Sequence, residues 1–152
     1  MSEHYLEDYQ VGQVYGSATA RVEGERIKSF AAEFDPQPFH LGEVGAAGTV
    51  FGRLAASGWH TAALTMRLLV EGRLRPAGGV IGMGFDELRW PLPVRAGDVL
   101  SVQSEILEVR ESKSRPDHGV IRVRFTTSNQ TGEAVQVATG SLLVRRRPSN
   151  LH

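Results

Sequence analysis

Apolar residues at Ile27, Phe30, Ala31 and Phe34 recur at intervals of three and four, which predicts one face of a helix over residues 25–34. Pro36 disfavours helical geometry in the residue before it, so the helix should end at Asp35. Pro38 is then expected to keep the chain extended, which makes residues 35–40 a stiffened loop leaving a helix end. A second helix should begin at Ser57, a good N-cap. Trp59, Ala62, Ala63, Met66, Leu69 and Val70 follow at helical spacing, Leu64 and Leu68 add a second stripe, and Gly72 is the natural stop. Apolar on so much of its circumference, this helix is expected to be mostly buried. Gly42, Gly45 and Gly48, between the two helices, read as a flexible loop.

Beyond residue 79 the period changes to two. Ile81, Met83 and Phe85 alternate with small or polar neighbours. Residues 99–109 are strand-like but less regular, which predicts a bulge or a twist. Ile121, Val123 and Phe125 alternate with Arg122 and Arg124, so one face should be buried and one wet. Val135, Val137, Leu142 and Val144 form a last strand after a turn near residues 129–132, and residues 15–22 are a weaker strand candidate. No repeat or linker divides the chain, so residues 1–152 read as one domain with its core over about 9–146. The predicted class is α+β, an antiparallel sheet wrapped round one long helix.

Composition narrows the function classes. Basic and acidic side chains both number 17, which argues against a general nucleic-acid binder. The three arginines at 145–147 read as a solvated charged tail. There is no cysteine, which removes disulfides, thiolate metal sites and a Cys nucleophile and suits a reducing compartment. The N-terminus lacks a signal-peptide pattern and no apolar run is long enough to span a membrane, so a soluble, cytoplasmic protein is expected.

The candidate chemistry lies at the two helix ends. Asp35 and His40 sit on the stiffened loop, where a carboxylate and an imidazole can share one water. Gly58 follows the capping Ser57, and free N–H groups in a first helical turn carry partial positive charge suited to an oxyanion. Lacking a Cβ, Gly58 would let a substrate approach its backbone. Adding water across an activated double bond needs these parts: a base, an acid, and a donor for the carbonyl oxygen. His60, in the first turn of the second helix, is a candidate pocket residue. His4, His118 and His152 read as terminus or turn residues, and no His, Asp and Glu set has metal-ligand spacing.

The run from Phe30 through Asp35-Pro36-Gln37-Pro38-Phe39-His40 resembles the signature of the MaoC-like dehydratases, which include the (R)-specific enoyl-CoA hydratases. The family's hydratase pattern is Asp-x-Asn-Pro-x-His. The stretch Ala55-Ala56-Ser57-Gly58-Trp59-His60-Thr61 is similar to its opening of the central helix, and Pro93-Val94-Arg95-Ala96-Gly97-Asp98-Val99-Leu100 to its turn into a long strand. The resemblance implies a hot-dog fold and a homodimer, or a higher homo-oligomer, whose sheets join with active sites near the interface. It implies Asp35 and His40 as the catalytic pair and the Gly58 amide as oxyanion donor. Ser57, Gly58, Trp59 and Phe39 would contact substrate, the bulky Phe39 and Trp59 either shortening the acyl pocket or belonging to the core. Arg53, Arg73 and Arg75 are candidate partners for the CoA phosphates, and no metal or cofactor would be needed beyond the CoA thioester itself. The implied reaction, of the kind used in fatty acid metabolism, is reversible hydration of a 2-enoyl thioester to the (R)-3-hydroxyacyl product. Two positions depart from the pattern: Gln37 replaces Asn, and Phe34 stands where Gly is common. A hot-dog thioesterase and a non-catalytic acyl-thioester binder are the competing expectations.

Overall fold

The computed structural model describes residues 2–149; His152 lies outside them. After a short 3₁₀ turn at Leu6–Asp8 come β1 (Val14–Tyr15) and β2 (Ala20–Arg21), then α1 (Gly24–Phe34), α2 (Pro38–Leu41), α3 (Glu43–Ala46) and α4 (Gly58–Glu71). Four long strands follow: β3 (Ile81–Arg89), β4 (Val99–Glu111), β5 (His118–Ser128) and β6 (Ala134–Arg145). The sheet is antiparallel, in the order β1-β4-β5-β6-β3, with β2 also paired to β4. It wraps α4, as the α+β reading and the family resemblance imply.

Several expectations hold in detail. Helix α1 ends at Phe34, and α4 starts after Ser57, whose Oγ accepts the Trp59 N–H at 3.2 Å, and stops at Gly72. The pairing of β4 with β5 slips between Ile106 and Glu108, which is the expected bulge. On β5, Ile121, Val123 and Phe125 are buried, while Arg122 and Arg124 face outward and bond Asp86 and Glu105.

Others need correction. The residue 15–22 candidate is two short strands, both laid on β4. The 35–40 segment is not extended throughout. Pro38 takes the first position of α2, where its missing N–H costs nothing and its fixed φ suits a helix, so His40 lies in a helical turn. The glycine-rich segment beyond it also folds, as α3. Gly45 has a packing reason: a Cβ there would stand 2.5 Å from the Pro38 carbonyl oxygen, so only glycine lets α3 close on α2. The arginine run is no free tail, because Arg146 pairs with Glu7 and Glu111, and Arg147 pairs with Asp8 and lies over the Tyr5 ring.

The largest difference concerns α4. Its buried face carries Thr61, Thr65, Leu68 and Leu69, and Thr65 Oγ1 meets Thr127 Oγ1 of β5 at 2.7 Å. That hydrogen bond offsets the cost of burying two hydroxyls under the sheet. Of the stripe expected in the core Leu69 is buried, but much of the rest is open: Trp59 is 58% exposed, Met66 43% and Val70 55%. Beside it, Met83 (56%) and Phe85 (59%) lie bare on β3, a strand at the sheet edge with an unpaired outer side among the described residues.

Candidate active site

Asp35 caps the end of α1, where its N–H bonds the Ala31 carbonyl at 2.8 Å. One turn of α2 then carries the chain back on itself and buries the His40 ring. The segment entering α4 runs alongside. The Ala55 N–H bonds the Phe39 carbonyl at 3.1 Å, and the Ala55 carbonyl faces His40 Nδ1 at 2.6 Å. A carbonyl oxygen can only accept, so Nδ1 carries the hydrogen and neutral His40 presents the lone pair of Nε2. That Nε2 lies 3.5 Å from Asp35 Oδ2. The separation is long for a direct bond and leaves both atoms able to hold one water.

The carboxylate is itself positioned. The Ser57 hydroxyl beside Asp35 holds its carboxyl below the ordinary carboxylate range; burial opposes this, and the Gln37 amide and the His40 ring add to the lowering. Gln37 Nε2 donates to Asp35 Oδ1 at 2.5 Å, so the longer side chain at this departure from the family pattern reaches the carboxylate directly. Ser57 is fully buried and therefore offers no surface to a ligand. It caps α4, and its hydroxyl is the leading cause of the lowered Asp35 pKa.

His40 and Gly58 line one cleft of about 300 Å³, together with Phe51, Thr61, Trp90 and Val94. The Gly58 amide is the first of α4 and bonds no acceptor among the described residues, so it is free to donate to a ligand oxygen. The lack of a Cβ at Gly58 has a further cause: the Trp90 indole lies where that atom would be, 2.6 Å from Cε2. Phe39 packs edge-on against His40, with centroids 4.6 Å apart, behind the cleft rather than in it. Trp59 turns to a second hollow, described below.

The remaining candidates lie elsewhere. His60 is buried on another face of α4, stacked on Phe30 at 4.8 Å, with Nδ1 unpartnered. Arg53 does not line the cleft, and its carbonyl accepts from Arg95. Arg73 and Arg75 follow the far end of α4 and border a separate hollow with His4 and Tyr15. His4 bonds the Leu74 carbonyl and His118 pairs with Asp117. Among the described residues no three His, Asp or Glu side chains converge as metal ligands, and no helix is long and apolar enough to cross a membrane.

Phe51, Trp90 and Arg95 were not singled out from the sequence. Arg95 donates to the carbonyls of Phe51, Arg53 and Leu54, clamping the loop that delivers Ala55 to His40. Its only advance signal was its place in the Pro-Val-Arg-Ala-Gly-Asp turn.

Comparison with known proteins identifies the family and the fold. The family model of the MaoC like domain matches residues 8–129. The crystal structure of the MaoC-like dehydratase from Rhodospirillum rubrum is 53% identical, with a TM-score of 0.92 over 96% of this chain and 99% of that one. The R-hydratase PhaJ1 from Pseudomonas aeruginosa, unliganded, is 27% identical, with a TM-score of 0.71 over 97% of this chain and 93% of that one. A 3-hydroxybutyryl-CoA dehydratase of Methylorubrum extorquens is 32% identical over 142 residues, which cover 93% of this chain and 83% of its own. The sheet wrapped on α4 is the hot-dog fold of these dehydratases.

Proposed function

The chain belongs to the MaoC-like dehydratase family, and we propose that it hydrates a 2-enoyl-CoA-type thioester reversibly to the (R)-3-hydroxyacyl thioester. The observation that carries this reading is the fixed tautomer of His40. Ala55 holds Nδ1, the free Nε2 lies 3.5 Å from Asp35 Oδ2, and His40 shares its cleft with Gly58, whose amide is free.

In the proposed reaction the thioester carbonyl accepts the Gly58 N–H, which draws electrons from the double bond. Water held between Asp35 and His40 adds its oxygen to the β-carbon while Nε2 takes one of its protons. The Asp35 carboxylate offsets the charge of the imidazolium so formed. As the enolate collapses, the imidazolium returns that proton to the α-carbon. One water is consumed, both residues are restored, and neither metal nor redox cofactor enters the scheme. The reverse sequence is dehydration.

The bare apolar edge of β3 and the open stripe of α4 support a second copy of the chain as partner. We place it along β3, joining two sheets into one homodimer, because an exposed apolar edge strand is otherwise a liability. A cysteine-free chain suits the reducing cytoplasm, the compartment proposed here.

The test is turnover. Purified protein should consume crotonyl-CoA, seen as loss of the conjugated thioester absorbance. His40→Ala should lower kcat by about 10²–10⁴-fold while circular dichroism stays that of the parent. Unchanged turnover in that variant sinks the proposed roles, and release of free thiol from a saturated acyl-CoA would mark the protein as a thioesterase instead.

A further inference from the structure

The cleft that holds His40 and Gly58 ends against Trp90. On the side of two residues that Trp90 touches, Gln136 and Trp59, lies a second hollow of about 210 Å³, walled mainly by apolar groups such as Met66, Leu69, Phe85 and Leu142. The two spaces share no lining residue. Three contacts fix Trp90 between them. Its ring lies on the Cα side of Gly58, as the 2.6 Å approach to an added Cβ shows. Its Nε1–H donates to Gln136 Oε1 at 2.8 Å, and Gln136 is buried and lines the second hollow. The Trp59 ring, another wall of that hollow, meets it edge-on with centroids 5.3 Å apart.

Swinging the indole aside would break the bond to Gln136 and leave a buried amide oxygen unsatisfied, which folded proteins avoid. A thioester carbonyl at the Gly58 amide therefore has the fixed indole beside it. We propose that Trp90, tethered by Gln136, closes the acyl site and restricts the substrate to short 2-enoyl thioesters. The apolar hollow on the Gln136 side is the space a longer chain would need, and its rim at Met66 and Phe85 belongs to the face on which the second copy is placed, so that copy would roof it. This inference rests on the hydratase reading above.

The experiment compares kcat/KM for crotonyl-CoA and trans-2-octenoyl-CoA in the parent, Trp90→Ala and Gln136→Leu. The parent should favour crotonyl-CoA by at least about tenfold, since hydrophobic pockets discriminate by about 10–200-fold for each methylene. Trp90→Ala should move the ratio toward octenoyl-CoA by at least about tenfold, and Gln136→Leu in the same direction by less. A parent that uses octenoyl-CoA as well as crotonyl-CoA overturns the length limit and leaves hydration standing. So does an unchanged ratio in folded Trp90→Ala or, should that variant not fold, in Gln136→Leu. A parent that hydrates neither substrate overturns the hydratase reading itself, and the length limit with it.

Discussion

His40 gives its Nδ1 hydrogen to the Ala55 carbonyl oxygen at 2.6 Å, and this bond decides which nitrogen faces Asp35. Ala55 immediately precedes the helix entry that supplies Ser57 and Gly58. One short segment therefore orients the imidazole, caps α4 and presents the free amide. The loop before it is held by Arg95 through three carbonyls.

Ser57→Ala should separate orientation from contact. The Ser57 hydroxyl is the leading cause of the lowered Asp35 pKa, so its removal should raise that pKa and move the acid limb of kcat/KM to higher pH. The sign for stability follows. A carboxyl lowered in the folded state stabilises above its unfolded value of about 3.9, and that stability is lost as pH falls through the folded pKa. The variant should thus lose part of its acid resistance, together with about 1 kcal/mol from the missing cap. A pH–rate profile and urea melts at two pH values check both effects.

Gly58→Ala puts a Cβ into the Trp90 indole. Overpacking of this kind costs about 1–3 kcal/mol, read as a lower midpoint in urea. The cost should shrink in a Trp90→Ala background, because the two sites are in contact and their effects are coupled. Equal costs in both backgrounds would show that the indole is not what excludes a side chain at Gly58.

His60 should make the fold acid-sensitive. Burial, and after it the charge of Arg26, hold its imidazole below the ordinary value. The unfolded chain takes up the proton more readily, so stability is present above about pH 6.5 and is lost as pH falls below it. His60→Leu should lie within about 1 kcal/mol of the parent at neutral pH, since the lost stacking on Phe30 is offset by removing an unpartnered buried nitrogen. Between pH 7 and 5 its stability should then vary less than the parent's, as thermal melts would show.

Phe85→Asp should dissociate the proposed dimer. Burying one aromatic side chain contributes about 1.5–3 kcal/mol, and an interface carries it twice by symmetry. Light scattering across a dilution series should show monomer for the variant at concentrations where the parent is dimeric. A monomeric parent would refute the arrangement.

The two helix ends, the bulge in β4 and the alternation on β5 were readable from residue order, because capping, proline geometry and side-chain period are local. The pairing of Asp35 with His40 was readable for the same reason, since both lie on one short segment. Residue order does not say which of its two habits Pro38 follows, since proline suits an extended segment and a first helical position equally well, and the fold takes the second. The open part of the α4 stripe differs from the expected burial because apolar spacing reports what a helix prefers to cover, whether with its own sheet or with a second chain.

Local order thus specified the carboxylate, the imidazole and the glycine amide. Three things depended on the folded chain: the tautomer of His40, the hydroxyl that lowers the Asp35 pKa, and the indole between cleft and hollow. Each is a contact between distant segments, such as His40 with Ala55 or Trp90 with Gly58 and Gln136. Contacts of that kind follow from how the sheet closes round α4, and no periodicity along the chain records them.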